Sequence, residues 1–422
     1  MARTVAVLAL AASCTMPVLG QSGVDVDKMR QQVGALRAEQ ARLADLQRKI
    51  DDALQSLEAE LAAMASPAPV TPAAAVVSAA PAASRLSVAG DVRLRAQGDY
   101  SSATAPDRHS GQFRARLGAT FMVSDHIAVG ARLVTGDPDD PNSTDVQLSS
   151  FLDDLQVSLD LAYVQFNLGE LKVYGGKLPQ PFVRTDLVWD GDVNPQGLGA
   201  VYRHGLGSGG AVRASGLYFV VDEQAVGSDS TMLGVQLGYD SPAHRRWTYD
   251  VSAAFYDYRL GSVTGGDAGD FRSNLLDADG NYVSDYDLGD LIVGVGWSGA
   301  GDRWPVRIVG DHVRNFGAAR QRRTGLGVEL AVGRASHARD WRITYGYSVA
   351  EVDAVLAAFS HDNIGLGTNY RMHALAVDYV PVPRTLLSAI WYRYRPDQTT
   401  NAGGSEPHDW LNRLRLAFLA SF

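Results

Sequence analysis

The sequence predicts an all-β fold: a 16-stranded antiparallel transmembrane β-barrel preceded by an N-terminal α-helical coiled-coil segment. Three observations carry this. From Arg85 onward apolar and polar residues alternate with a period of two. The connections between these runs alternate between long and short, and the chain stops on an aromatic residue, Phe422. Composition is compatible: 422 residues, 43 Gly without a triplet period, one Cys and a formal charge of −9. The charge leaves no basic surplus to neutralise nucleic-acid phosphates. The one apolar run resembling a helical span is at the N-terminus, whereas barrel strands leave only a weak alternating signal.

Residues 1–20 read as a secretory signal: Arg3, an apolar stretch from Val5 to Ala12, then Val18-Leu19-Gly20. Cys14 follows Ala11-Ala12-Ser13, resembling a lipid-attachment site but without Leu three residues earlier. Cleavage after Gly20 leaves a mature chain without cysteine, so no disulfide stabilises it. Residues 24–64 carry Val26, Met29, Val33, Leu36, Leu43, Ile50, Leu54, Leu57, Leu61 and Met64 at 3-4 spacing, with Gln40 and Gln47 as polar interruptions. That stripe predicts a periplasmic coiled coil, because an isolated helix would expose it to water. Residues 65–84, with Pro67, Pro69, Pro72 and Pro81, form a semi-extended linker.

The barrel occupies residues 85–422. Alternating runs fall at 85–97, 113–123, 127–136, 155–168, 170–178, 198–205, 211–222, 231–240, 246–259, 287–298, 303–316, 321–334, 341–354, 371–380, 384–395 and 410–422. Between them the odd-numbered connections are mostly long (98–112, 137–154, 179–197, 260–286, 355–370, 396–409) and the even-numbered ones mostly tight. Transmembrane barrels sort loops in this way, short turns facing the periplasm and long loops facing outside. In the last run Leu414, Leu416, Phe418, Ala420 and Phe422 share one face, so Phe418 and Phe422 are the candidate membrane-assembly signal. Trp247, Tyr249, Trp304, Trp341, Trp391 and Trp410 fall near strand ends, where interfacial girdles form.

Sixteen strands leave a water-filled channel. Strand parity then assigns Arg93, Arg95, Arg114, Arg116, Arg132, Arg393, Arg395, Arg413 and Arg415 to the pore lining, as a basic ladder on adjacent strands. The connection 179–197 combines Phe182, Leu187, Val188 and Trp189 with Arg184, Asp186, Asp190 and Asp192. A loop that apolar must pack on something. Folding into the lumen would bury Phe182 and Trp189 on the wall and set the carboxylates against the arginines, forming a charged constriction.

Gly176-Lys177-Leu178-Pro179-Gln180-Pro181-Phe182, then Asp186-Leu187-Val188-Trp189-Asp190 and Asp192-Val193-Asn194-Pro195, resemble the putative porin family of Gram-negative outer membranes. Thr135-Gly136-Asp137-Pro138 with Asp140-Pro141 is similar to that family's second external loop. The resemblance implies an oligomeric diffusion channel and fixes no substrate. The expected function is therefore passive diffusion of small hydrophilic solutes and ions through a homotrimeric outer-membrane porin. Its partners would be outer-membrane lipid and lipopolysaccharide, with the coiled coil in the periplasm touching the cell wall or trimerising. The rival reading is a structural tether, for which an eight-stranded anchor would suffice.

No cofactor, metal or reaction is expected. Asp277-Ala278-Asp279-Gly280-Asn281 lacks the spacing and terminal Glu of an EF-hand. The neighbours Asp125-His126, Asp311-His312, His361-Asp362 and His408-Asp409 have no activated serine motif beside them, and acid–base catalysis needs convergence in space.

Overall fold

The computed structural model describes residues 85–422 except 101–106, 138–139, 149–155, 226, 244, 262–272, 279 and 399–409. The signal sequence with Cys14, the coiled coil, the linker and the pair His408-Asp409 lie outside the described residues.

Among the described residues seventeen strands form one closed antiparallel sheet, of which sixteen are wall strands. In chain order they are β1 (Leu86–Tyr100), β2 (Arg108–Met122), β3 (Ile127–Thr135), β4 (Val146–Gln147), β5 (Val157–Leu168), β6 (Leu171–Lys177), β7 (Gln196–Gly205), β8 (Ala211–Asp222) and β9 (Ser230–Asp240). There follow β10 (Trp247–Arg259), β11 (Asp287–Trp297), β12 (Val306–Asn315), β13 (Thr324–Gly333), β14 (Trp341–Ala350), β15 (Tyr370–Tyr379), β16 (Thr385–Pro396) and β17 (Leu411–Ser421). β17 closes the ring on β1, with Arg95 opposite Ala417 and Gln97 opposite Arg415. Closure removes both sheet edges, which is what lets a sheet cross a membrane.

Each predicted run is a wall strand, with shifted ends. β1 and β2 run beyond the expected loop boundary to pair Asp99 with Arg108, because backbone bonding continues past the point where apolar alternation stops. The two-residue β4 extends the ladder on β2, where Phe113 meets Val146.

The burial pattern is inverted relative to a soluble protein. Leu94, Leu198, Leu237 and Leu416 are exposed on the outer face, while Asp91, Gln97, Arg114 and Arg415 are buried inside. At the end with short turns, Trp247 lies 6.0 Å from Trp297 and Trp341 lies 4.4 Å from Tyr379. Amphipathic rings suit that boundary, one side apolar and the other wet. At the C-terminus the Phe422 ring lies over Gly90, and the two residues exchange backbone hydrogen bonds of 3.0 and 3.3 Å. Phe418 faces outward.

Candidate pore and constriction

Two segments leave the wall and fold inward: 178–195, between β6 and β7, and 351–369, between β14 and β15. The first departs and returns beside a glycine pair, Gly176 opposite Gly197, with φ of 115° and 137°. A Cβ at either position would collide with the neighbouring strand's carbonyl, of Ala162 or Tyr218. Only glycine takes such φ angles without strain, so the pair permits the change of chain direction.

Apolar side chains hold both segments in the barrel. Trp189 is fully buried, stacked on Phe359 at 5.6 Å and 17°, with the Tyr256 ring edge-on at 5.6 Å. Phe182 packs on the other side of Tyr256, at 5.1 Å. Leu217, Phe219, Met232, Tyr258 and Leu288 complete this wall. Polar contacts fix the register. The Gln236 amide of β9 receives the Val183 N–H and donates to the Val183 carbonyl, both at 2.8 Å, as a neighbouring strand would. The Thr185 hydroxyl donates to Asp311 of β12. The two segments also bind each other: Asp190 N–H donates to Phe359 O at 2.8 Å, and Asn363 donates to Asp186 at 3.0 Å.

Opposite this apolar half stands an arginine wall. Arg93, Arg95, Arg114, Arg116, Arg132, Arg413 and Arg415 point inward, each beside a carboxylate. Arg93 and Arg95 share Asp145; Arg114 and Arg116 share Asp91 and Asp192; Arg132 pairs with Asp160, Arg413 with Asp99 and Arg415 with Asp362. Asp160 reaches Arg132 because the β3–β5 register shifts there, passing from Arg132 opposite Leu161 to Leu133 opposite Leu159. Such a bulge re-aims a side chain.

Arg393 and Arg395 correct the sequence expectation: they lie on the outer face. Their neighbours Tyr392 and Tyr394 are buried against the inward segments, and Ile390 stands opposite the inward Arg415. In Trp391-Tyr392-Arg393-Tyr394-Arg395 both faces carry bulky amphipathic residues, so apolar content does not reveal the phase. Packing decides it, putting the tyrosines inside and the arginines outside.

Within 178–195 the predicted carboxylates separate. Asp192 faces the arginine wall, 3.2 Å from Arg116, and accepts from Thr144 at 3.0 Å. Asp190 is buried and accepts the Asp192 N–H at 2.7 Å. Burial, together with the Asp186 and Asp362 carboxylates, pushes its carboxyl up to about 8. Asp186 faces the opposite side of the segment, and Arg184 folds back on the carbonyls of Trp189 and Gly191. Burial opposes ionisation of Asp362, but Arg415 and Arg95 hold its carboxyl below the usual range.

The connection 355–370 is expected as an external loop and 351–354 as the end of a strand; instead the segment 351–369 lies in the lumen. Val352, Val355, Leu356, Phe359 and Ile364 are buried there. Its apolar content is the same signal that marked 179–197. The carboxylates Asp91, Asp99, Asp145 and Asp160 were also missed, and only pairing register brings them to the arginines.

Cavities lie on both sides of the arginine-wall ion pairs. One of about 380 Å³, toward the long connections, is lined by Asp160, Lys177, Asp192 and Asn194. Another of about 360 Å³, toward the short turns, is lined by Asp91, Arg116, Thr120 and Arg132. The pairs Arg116–Asp192 and Arg132–Asp160 join the lining of one to that of the other. A third space of about 420 Å³, lined by Arg184, Asp186, Asp311 and Glu329, lies across the segment 178–195. Among the described residues no group of three or more His, Cys, Asp or Glu is arranged to hold a metal ion.

A family model described as putative porin matches residues 100–268. Comparison with curated proteins finds no match. Among solved structures, OprB of Pseudomonas putida, in its high-pH form, superposes with a TM-score of 0.53 at 12% identity, covering 81% of this chain and 95% of that one. An anion-selective porin from Comamonas acidovorans gives 0.49 at 10% identity, covering 80% and 99%.

Proposed function

We propose that this chain, with its putative-porin match and closed sixteen-strand wall, is an outer-membrane porin that passes small hydrophilic solutes and ions by passive diffusion. One observation carries the reading. Two cavities, one toward the long connections and one toward the short turns, meet at charged side chains: Arg116 and Arg132 line one, and their partners Asp192 and Asp160 line the other. Side chains of this kind form a hydrated constriction and exclude large solutes by size. The match over residues 100–268 and the apolar outer face support the outer-membrane location.

The arginine wall is matched by carboxylates, so it would orient dipolar and charged solutes rather than act as a simple anion funnel. The apolar half, sealed by Trp189 and Phe359, would narrow the route to the arginine side. The coiled coil of residues 24–64 would trimerise the protein in the periplasm or contact the cell wall.

Swelling of liposomes containing the refolded full chain tests this. Uptake should be fast for small sugars and amino acids and fall steeply with solute size. A correctly folded barrel with no uptake of any solute would support the structural tether instead.

A further inference from the structure

The outward arginines that left the pore lining form a cluster of their own. Arg395 stands directly across from Arg371 of β15, and Arg393 from His373. Arg393 and Arg395 both lie over the Trp410 ring, their guanidinium carbons 5.3 and 5.0 Å from its centroid. His373 completes the patch, 5.4 Å from Trp410 and hydrogen-bonded to the Tyr345 hydroxyl at 2.8 Å.

Among the described residues, charge is less balanced here than in the lumen. Asp397 is shared by Arg371 at 2.6 Å and Arg322 at 3.1 Å. Among the described residues Arg393 and Arg395 have no carboxylate within 4.0 Å. Like charges directly opposite on a sheet repel, and two guanidiniums on one ring compound the repulsion. An anion beside Arg393 and Arg395 would relieve that repulsion, as Asp397 does for Arg371. Its height is also specific: it lies at the end of the barrel with long connections, immediately above the outward apolar belt of Leu375, Trp391, Leu387 and Leu416. Lower on the same strands lies a separate apolar groove of about 740 Å³ on the outer face, lined by Val377, Leu387, Leu416 and Phe418.

We propose that this face binds a phosphorylated glycolipid of the outer leaflet. Arg371, Arg393 and Arg395 would engage its phosphates, Trp410 would pack on its sugar, and the groove would receive an acyl chain. Guanidinium is suited to the first task because its planar fork matches phosphate oxygens. The proposal rests on the outer-membrane reading, since only there does the outer leaflet carry such a lipid.

The experiment is lipid binding by native mass spectrometry of the refolded full chain, with bis-phosphorylated lipid A and its dephosphorylated form as probes. Arg393→Gln with Arg395→Gln should weaken binding of the phosphorylated probe by at least tenfold, given the usual contribution of a basic residue at a charged membrane surface. The dephosphorylated probe should bind weakly to parent and variant alike. Arg342→Gln, a lumenal change, controls for general damage and should leave binding intact. Equal binding of the two probes, or equal affinity of parent and double variant, would overturn the proposal. So would a variant that loses its oligomeric state while retaining the lipid, because the patch would then be a contact between copies. Solute uptake by the same preparation separates the two readings: uptake without phosphate-dependent binding sinks only this site.

Discussion

Asp192 is the carboxylate that the segment 178–195 extends to the arginine wall, so its removal tests the constriction directly. In Asp192→Asn the side chain keeps its shape, and Thr144 can still donate to the amide oxygen. Arg116 loses a charged partner at 3.2 Å and Arg114 one at 3.8 Å, with Asp91 left to serve both. The constriction therefore gains one net positive charge. A monovalent ion passing on the order of 6 Å away in a water-like medium feels about 0.7 kcal/mol from one charge. That is about threefold against cations and threefold in favour of anions, so the cation-to-anion permeability ratio should fall about tenfold. The assay is the reversal potential across a planar bilayer under a salt gradient. It should be run at low ionic strength, because the screening length is only about 10 Å at 0.1 M. An unchanged ratio in a variant that still conducts would refute the assignment of ion flow to the arginine side.

Other consequences follow from the same geometry. With its carboxyl pushed up to about 8, Asp190 is neutral at pH 7 and ionises as the pH rises past that value. The folded state keeps a proton that the unfolded chain releases near pH 4, so this group's stabilising contribution is complete below that pH and is lost as pH climbs toward 8. Channel noise and proteolysis of 178–195 should therefore rise with pH between about 4 and 8 and level off above that, and Asp190→Asn should abolish the rise. Trp189→Ala removes the ring that seals the apolar half; it should cost about 3–5 kcal/mol of stability, and single-channel conductance should increase. Unaltered conductance would show that the Trp189 stack does not limit flow. Gln236→Leu strands both polar groups of Val183, a loss of about 1–3 kcal/mol. Protease should then cut 178–195 faster while the barrel wall, followed by its gel mobility, stays folded.

The wall was legible in the sequence because a lipid-facing strand is written in its own residues. Leu414, Leu416 and Phe418 must be apolar on every second position whatever their neighbours are, and the loops sort by length without reference to packing. The lumen was less legible because its order depends on contacts between distant segments. Trp189 and Phe359 come from different loops, and only their stacking explains why both loops are apolar; one was read as inward and the other as external. The arginines show the same division. Arg114 and Arg116 oppose the apolar Ala115 and Leu117, so their phase is unambiguous, whereas Arg393 and Arg395 alternate with tyrosines that fit either face. Their counter-ions Asp91, Asp145 and Asp160 depend on register and on one bulge, which alternation does not encode.

Conductance of the refolded full chain in a planar bilayer tests the central claim most directly, with folding verified by resistance of the barrel to detergent unfolding. A continuous route past Arg116–Asp192 and Arg132–Asp160 predicts discrete, stable conducting steps whose reversal potential moves when Asp192 is neutralised. A folded barrel that carries no current at any voltage would contradict it and make the sixteen-strand wall an anchor rather than a channel.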